Sequence, residues 1–252
     1  MRVVVIGSGN VAESLAQAVA EAEGLHLVQI FARNEERGRK VAELAHTEWN
    51  GSELAEADLY LISVSDNAVA DVAKSLPIPE GAVVAHTAGC CTLDSLLPHT
   101  HRAVFYPFQT FSKTHIIEDF STIPVFFEAK GIDDISAVYS LALSITSHVY
   151  ETTQHDRERL HVAGVYACNF TNLMYTLAAE LLSSTHIPFK ALLPLIDETA
   201  AKIHTLSPRE AQTGPARRAD QSVMQHHMEL LPNDELREIY QLLSEQIKKR
   251  FS

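Results

Sequence analysis

A glycine pattern near the start of the chain has the residue types and the spacing that bind a pyrophosphate. Gly7, Gly9 and Ala12 form GxGxxA directly after the apolar, β-branched run of residues 3–6. The first glycine allows a tight turn, the second lets the backbone approach a phosphate, and the small third residue lets a helix pack closely on the strand. Free N–H groups at the start of that helix favour a bound anion. The pattern predicts a nucleotide cofactor held by Gly7, Ser8, Gly9, Asn10, Val11 and Ala12.

The residues after the second apolar run indicate which nucleotide this is. NAD binders carry an Asp or Glu here, which accepts hydrogen bonds from the ribose hydroxyls. In this chain Arg33 and Asn34 stand at that place, and Arg37 follows one helical turn later. Since a planar guanidinium matches a 2′-phosphate, these three residues favour NADP over NAD. In the alternative interpretation Arg33 is a solvated surface residue, and Glu35 or Glu36 serves the ribose.

Two polar segments follow later apolar runs. Val64 ends the apolar run of residues 59–64, and Ser65 follows it. His86 ends the run of residues 82–86, and Thr87 follows it. Because ligands of open α/β folds bind at the carboxyl edge of the sheet, these segments are predicted to line the nicotinamide end of the cleft. His86 either touches the substrate or bonds only to backbone. Asp66 is interpreted as a helix cap.

The elements that position these residues are predicted from hydrophobic periodicity. Apolar runs at residues 3–6, 26–31, 59–64, 82–86, 103–106 and 123–127 alternate with helical patterns at residues 11–22, 35–45, 68–76 and 135–146. Such alternation predicts a doubly wound, largely parallel sheet with helices on both faces. Beyond residue 150 only helical patterns follow, beginning with a long apolar helix at residues 155–185. We therefore expect an α/β Rossmann-type domain at 1–150 and an all-helical domain at 151–252.

Composition excludes several classes of function. The chain has 252 residues and a formal net charge of −12, which argues against nucleic acid as a partner. Its 13 histidines are scattered and form no spaced ligand set, so no metal site is predicted. No apolar run is long enough to cross a bilayer, and three cysteines, two of them adjacent, imply no disulfide framework. A cytoplasmic protein without a membrane partner is expected.

Several motifs, in their order along the chain, carry a resemblance to a known family. They are the glycine turn, Ile62-Ser63-Val64-Ser65-Asp66, His86-Thr87-Ala88-Gly89, Tyr106-Pro107-Phe108-Gln109-Thr110-Phe111, Cys168-Asn169-Phe170-Thr171-Asn172 and Thr213-Gly214-Pro215 with Arg218 and Asp220. Over nearly its whole length the chain resembles the Rossmann-like NADP oxidoreductases with a DUF2520 C-terminal domain. These are related to pyrroline-5-carboxylate reductases, ketopantoate reductases and β-hydroxyacid dehydrogenases. The resemblance implies a helical second domain like the C-terminal domain of 6-phosphogluconate dehydrogenase.

The long helix departs from the pattern of these relatives. In β-hydroxyacid and ketopantoate enzymes it carries a lysine and, four residues on, an asparagine that anchors the substrate. Here Asn172 keeps its place, whereas Cys168 stands at the lysine position. A thiol in an apolar helix is usually a poor proton donor. His161 lies seven residues before Cys168, on the same face of an α-helix, and is the candidate replacement. In the alternative interpretation these residues only pack between helices.

The resemblance implies an NADP-dependent oxidoreductase that transfers hydride between the nicotinamide and a small carbonyl, imine or hydroxy compound. His161, Asn172 and His86 are then the candidate catalytic residues. The cysteine at the lysine position motivates an alternative, a dinucleotide-binding sensor or assembly module without turnover. Arg218 either holds a substrate carboxylate or lies in a loop whose Asp220 caps the next helix. Relatives pair through the helical region, so a homodimer through the C-terminal helices is expected.

Overall fold

The computed structural model of the chain describes residues 1–113, 117 and 119–251. These form two compact units, Met1–Cys168 and Asn169–Ser252. The expected boundary near residue 150 therefore falls inside the first unit. The extension has a physical cause, because Arg157 is fully buried there and its guanidinium donates to the carbonyl oxygens of Gly89 and Cys91.

The first unit is built on a sheet. Its strands are β1 Arg2–Ile6, β2 His26–Phe31, β3 Glu48–Asn50, β4 Leu59–Ile62, β5 Val83–His86, β6 Arg102–Pro107, β7 Val125–Ala129 and β8 Val149–Glu151. In the described residues they pair in the order β3-β2-β1-β4-β5-β6-β7-β8. All neighbouring pairs are parallel except β6 and β7. The predicted Rossmann-type, largely parallel sheet is confirmed, and β1 lies at the point where the strand order reverses.

Helices cover both faces of this sheet. The helices of the first unit are α1 Asn10–Glu21, α2 Glu35–Leu44, α3 Val69–Ser75, α4 Ile132–Ile145 and α5 Gln154–Gly164. Side chains alternate along each strand, so Val3 and Val5 belong to one core with α1, α2 and α4, whereas Val4 and Ile6 belong to the other with α3. The apolar runs read from the sequence are thus strands buried on both sides.

Two of the strands have no counterpart in the predicted set. β3 and β8 are three-residue strands, and each includes a polar residue, Glu48 and Asn50 in β3 and Glu151 in β8. Neither is long enough to show a period of two or a continuous apolar run. Both lie at the edges of the sheet, where pairing with a single neighbour is what forms them.

The second unit is helical throughout its described residues, as predicted. Its helices are α6 Thr171–Leu182, α7 Leu193–Lys202, α8 Pro208–Ala211, α9 Gln221–Leu230 and α10 Asp234–Phe251. Asp220 caps α9 by accepting from the N–H of Val223 at 3.3 Å, and Asn233 accepts from the N–H of Leu236 at 2.9 Å. Among the described helices, none has both the length and the apolarity to cross a membrane.

The long helix predicted at residues 155–185 is interrupted. A π-helical turn, Val165–Phe170, separates α5 from α6. A helix that is apolar over most of its circumference is expected to be buried. That expectation is wrong for the single chain, since Val162, Tyr166 and Phe170 are 56%, 68% and 47% exposed. The spacing of apolar residues indicates which of them favour burial, but it does not indicate which segment or partner covers them.

Candidate functional site

The glycine turn between β1 and α1 is shaped by two different requirements. Gly7 has φ +130°, and a Cβ there would lie 2.1 Å from the carbonyl oxygen of Ser63. A Cβ on Gly9 would have no atom of the described residues within 4 Å. Ala12 is completely buried against the sheet. Gly7 is therefore required by the fold, whereas Gly9 leaves open space in front of the helix.

That open space is suited to an anion. Gly9 is the N-cap of α1, and no side chain of the described residues caps the helix there. The N–H groups of the first turn thus keep their partial positive charge at the wall of a cavity that Ser8, Gly9, Asn10 and Val11 line. The backbone of this turn fits the pyrophosphate of a dinucleotide.

Two adjoining cavities meet at the glycine turn. The larger, about 500 Å³, is called the main cleft here and lies at the carboxyl ends of β1, β4, β5 and β6. Its lining comprises Gly7, Ser8, Gly9, Asn10, Val11, Ser63, Val64, Ser65, Asp66, Thr87, Ala88, Gly89, Tyr106, Pro107, Gln109, Phe111 and His161. The smaller, about 250 Å³, extends past Ala32, Arg33 and Asn34 to α3. Two cavities joined at a phosphate-binding turn match the two halves of a dinucleotide.

The residues predicted to select the cofactor lie beside the smaller cavity. Arg33 is exposed at its edge. Asn34 caps α2 by accepting from the N–H of Arg37 at 2.9 Å, and the guanidinium of Arg37 donates to Oδ1 of Asn10 at 3.4 Å. Glu35, one of the two glutamates that the alternative interpretation assigned to the ribose, is paired with Arg39 at 2.9 Å, and the assignment of Glu36 stays open. Among the described residues that line the smaller cavity, Arg33 is the one with a cationic side chain.

The segments after β4 and β5 line the main cleft, as their sequence position predicts. Val64, Ser65 and Thr87 are all in its wall. The hydroxyl of Thr87 donates to the hydroxyl of Ser63 at 3.2 Å, which ties the two segments together. Asp66 also faces the cleft, and the short helical turn that it begins has no side-chain cap among the described residues, so its interpretation as a cap is wrong.

His86 has a different environment from the one expected of a catalytic residue. It is fully buried and is not among the described residues that line the main cleft. Its Nδ1 accepts from the N–H of Ala88 at 3.2 Å, so the proton is on Nε2, which donates to the carbonyl oxygen of Thr92 at 3.2 Å. Burial lowers the pKa of His86 to about 4. The neutral ring therefore braces the loop of residues 87–92, the "β5 loop".

Tyr106 and His161 meet in the wall of the main cleft. Tyr106 lies near the end of β6 and His161 in α5, and the phenolic oxygen is 3.0 Å from Nδ1 of the imidazole. Burial raises the pKa of Tyr106 to about 12, and Asp66 and Cys90 add to this effect. The phenol thus keeps its proton. It donates to Nδ1 in the Nε2–H tautomer of His161 and accepts from Nδ1–H in the other tautomer. The sequence pointed to His161 but missed Tyr106, although a polar-tipped residue at the carboxyl end of a predicted strand was a usable signal.

The remaining predicted residue, Asn172, lies in the second unit. It is exposed, and its carbonyl oxygen accepts from the hydroxyl of Thr176 at 3.2 Å. The π-helical turn Val165–Phe170 intervenes between it and His161. Since a π turn holds more residues than an α turn, the seven-residue spacing that put His161 and Cys168 on one face does not apply across it. The role of Asn172 stays a prediction.

No metal centre is formed by the described residues, because no three His, Cys, Asp or Glu side chains converge there. The glycine turn, the switch point of the sheet and the two adjoining cavities instead define a Rossmann-type dinucleotide-binding protein.

Comparison with known proteins places this class in a family. Residues 123–247 match the domain of unknown function DUF2520, and residues 2–89 match the family described as NADP oxidoreductase, coenzyme F420-dependent. A crystal structure described as a putative NADP oxidoreductase from Bacteroides fragilis is 39% identical, with 98% of each chain covered and a TM-score of 0.89. The chain belongs to the same family as that protein, the Rossmann-like oxidoreductases with a DUF2520 domain. The predicted resemblance is confirmed, and the predicted NADP cofactor agrees with both descriptions.

More distant structures share the fold. A Thermotoga maritima protein is 20% identical, with 98% of this chain and 99% of that one covered and a TM-score of 0.80. The 1-pyrroline-5-carboxylate reductase of Streptococcus pyogenes is 14% identical, with 99% and 98% covered and a TM-score of 0.64. No curated protein sequence matches the chain.

Proposed function

We propose that this protein is an NADP-dependent oxidoreductase acting on a small imine, carbonyl or hydroxy compound. The observation that carries the proposal is the Tyr106–His161 pair in the wall of the main cleft, which the glycine turn also lines. The glycine turn needs no such pair in order to bind the phosphates of a dinucleotide. A transferable proton beside a dinucleotide site is what a reductase requires.

The cofactor is held by the chain's own backbone and by Arg33. The first-turn N–H groups of α1 bind the pyrophosphate, and Arg33 binds the 2′-phosphate that distinguishes NADP from NAD. Val64, Ser65 and Thr87 border the nicotinamide end. When bound, NADPH supplies a hydride ion to the substrate carbon.

Reduction also needs one proton at the substrate heteroatom. Tyr106 donates its hydroxyl proton there and receives the Nδ1 proton of a protonated His161, so the net donor is the imidazolium. In oxidation the neutral imidazole accepts the proton from Tyr106, which takes it from the substrate hydroxyl or amine. Each direction therefore balances one hydride with one proton. General acid–base catalysis of this kind contributes about 10²- to 10⁴-fold to a rate.

A sensor or assembly module without turnover is less well supported. Such a protein would be expected to fill the space beside the nicotinamide with side chains. Here the main cleft has about 500 Å³ of space, and the Tyr106 hydroxyl, the His161 ring and the Thr87 hydroxyl converge on it. An open pocket with a few convergent polar groups is typical of a substrate site.

The test is an activity screen that follows the absorbance of NADPH. The panel comprises cyclic and acyclic imines, aldehydes, keto acids and oxidised coenzyme F420, with the corresponding amines and alcohols assayed against NADP⁺. We expect turnover of at least one compound class, and we expect Tyr106→Phe to abolish most of it. Tight NADPH binding without turnover of any member would overturn the proposal in favour of the sensor.

We also propose that the protein is a homodimer through its C-terminal helices. The second unit exposes many large apolar side chains, each at least 37% accessible: Phe170, Leu173, Leu181, Ile187, Leu193, Leu195, Ile203, Leu206, Val223, Leu230, Leu242 and Leu243. Apolar surface of this extent marks an interaction site, and a second copy is the partner that symmetry favours. Light scattering should give twice the chain mass of 27.8 kDa. A monomer across a range of micromolar concentrations would contradict this.

A further inference from the structure

Arg157 is a fully buried cation outside the set of residues that line the main cleft in the described part of the chain. Its guanidinium uses three nitrogens in three directions. Nε donates to the carbonyl oxygen of Gly89 at 3.2 Å, Nη2 donates to that of Cys91 at 2.7 Å, and Nη1 forms an ion pair with Glu128. The rigid fork of an arginine can satisfy all three acceptors at once, whereas a lysine ammonium is a compact point charge on a flexible stem.

These three contacts lie on both sides of the strand that carries Tyr106. Gly89 and Cys91 belong to the β5 loop, and Glu128 belongs to β7. In the sheet, β6 lies between β5 and β7, and Tyr106 on β6 is directly opposite Phe126 on β7. Arg157 therefore joins α5 to the two segments that flank β6.

His161 is four residues after Arg157 on α5, so the two side chains leave the same face of the helix one turn apart. The guanidinium contacts thus determine where this face of α5 lies relative to the end of β6. The imidazole then meets the Tyr106 hydroxyl at 3.0 Å. Among the described residues, the hydrogen bonds of Arg157 go to Gly89, Cys91 and Glu128 and to neither ring, so it acts through the backbone that it holds.

Gly89 is the point at which the two sets of contacts meet. Its carbonyl oxygen accepts from Arg157. A Cβ built on the same residue would lie 2.9 Å from Nδ1 of His161 and 3.0 Å from Cζ of Tyr106. The backbone of Gly89 thus lies directly against the Tyr106–His161 hydrogen bond. A shift of a few tenths of an ångström at Gly89 changes the space that this bond occupies.

We propose that Arg157, paired with Glu128, is a positioning residue that aligns His161 with Tyr106 by holding Gly89 and α5 together. The assignment rests on the proposed function for its catalytic meaning, since the aligned pair is the proposed proton donor. The alignment of His161 with Tyr106 that it describes does not depend on whether the protein turns over a substrate. It predicts that the tautomer of His161 depends on Arg157 even in the ligand-free protein.

The test compares Arg157→Lys with wild type in protein labelled with ¹⁵N in its histidine rings. In wild type, the hydrogen bond between the Tyr106 hydroxyl and Nδ1 sets the tautomer and the Nδ1 shift of His161. Arg157→Lys keeps the positive charge and loses the three-way fork, so we expect the Nδ1 signal of His161 to move toward that of a free imidazole. Tyr106→Phe gives the signal expected when the hydrogen bond between Tyr106 and His161 is lost completely. His161→Asn assigns the signal, because it removes that ring. Arg159→Lys, the same change at an exposed position of α5, is the matched control and should leave the signal in place.

Catalysis provides a second readout. With a substrate from the activity screen, Arg157→Lys should lower kcat by about 10- to 100-fold, because misplaced catalytic groups lose rate steeply. The Kd for NADPH should stay within about twofold, since the described hydrogen bonds of Arg157 go to the β5 loop and Glu128 and not to the glycine turn. If wild type turns over no substrate, the proposed function fails, and the ring signal of His161 still decides the positioning role.

Two results would overturn the proposal. One is a folded Arg157→Lys protein whose His161 keeps the wild-type tautomer. If Arg157→Lys does not fold, Glu128→Gln replaces it, because this change keeps the shape of the acceptor and removes its charge. We expect a smaller displacement of the His161 signal in the same direction. An unchanged signal in a folded Glu128→Gln protein would show that Arg157 only stabilises the fold.

Discussion

The phenolic oxygen of Tyr106 lies 3.0 Å from Nδ1 of His161, although 55 positions separate the two residues in the chain. Burial raises the pKa of the phenol to about 12, so Tyr106 remains a hydrogen-bond donor at any physiological pH. The imidazole beside it is its hydrogen-bond partner, and both side chains lie in the wall of the main cleft.

The first prediction concerns this pair. Tyr106→Phe removes the hydroxyl and keeps the ring, so kcat should fall by about 10²- to 10³-fold while the Kd for NADPH stays within about twofold. Steady-state kinetics and a fluorescence titration of NADPH measure the two quantities. Tyr150→Phe is the control, because that ring is 48% exposed and stacks on Phe126 outside the lining of the cleft. Wild-type kcat in Tyr106→Phe would remove the tyrosine from the mechanism.

The two glycines of the turn should respond differently to the same change. Gly7→Ala combines a φ of +130° with a Cβ 2.1 Å from the carbonyl oxygen of Ser63, so the free energy of unfolding should fall by about 3 kcal/mol. Gly9→Ala meets no described atom within 4 Å, so its unfolding free energy should stay within about 0.5 kcal/mol of wild type. Its methyl group occupies the space for the pyrophosphate, and NADPH binding should weaken at least about tenfold.

Urea denaturation and an NADPH titration separate these two effects. If Gly9→Ala binds NADPH with wild-type affinity, the pyrophosphate does not lie at this turn. If Gly7→Ala is as stable as wild type, the close approach of Gly7 and Ser63 is not a constraint on the fold.

Arg33 should determine the preference between NADPH and NADH. In Arg33→Asp the affinity for NADPH should fall by about 10- to 100-fold, the value of one charge-assisted contact, and the affinity for NADH should change little. Lys40→Asp makes the same change of two charges at an exposed position of α2, the helix that follows Arg33, and controls for long-range electrostatics. Equal losses for both dinucleotides in Arg33→Asp would show that Arg33 does not contact the 2′-phosphate.

His86 should make the protein less stable in acid. The pKa of its ring is lowered from 6.5 to about 4 in the folded state, so between these values the unfolded chain binds a proton that the folded chain does not. Stability is therefore complete above pH 6.5 and is lost as the pH falls toward 4, by on the order of 3 kcal/mol. Urea denaturation at several pH values measures this.

His86→Gln provides the control for that experiment. The glutamine amide offers one donor and one acceptor but does not titrate, so the acid loss of unfolding free energy should be smaller in this variant by the amount that His86 contributes. A ring of His86 that titrates near 6.5 in an NMR experiment would contradict the prediction.

The sequence allowed much of the first unit to be predicted because its signals are local. Six of the eight strands were found, since each is an apolar run bounded by turn residues, and the GxGxxA pattern identified the turn between β1 and α1. Val64, Ser65 and Thr87 were found by the rule that ligands bind at the carboxyl edge of a parallel sheet. β3 and β8 were missed because three residues carry no period.

The burial of Arg157 could not be predicted from its neighbours in the sequence. It lies among polar and charged residues in α5, Gln154, His155, Asp156 and Glu158, so its surroundings in the sequence are those of a solvated helix face. Only the approach of the β5 loop and of Glu128 makes it a buried cation. His86 is similar, since its side chain could face either the cleft or the loop until the position of Thr92 is known.

By itself the sequence determined the Rossmann-type sheet, the helical second unit, the glycine turn between β1 and α1 and the arginine beside the smaller cavity. These follow from periodicity and from residue types within a few positions of one another. Only the tertiary structure decided that Tyr106 is the partner of His161, that His86 is a neutral brace and that Arg157 holds Gly89. Each of these depends on contacts between segments far apart in the chain, and such contacts exist only after the strands have paired and α5 has packed against them.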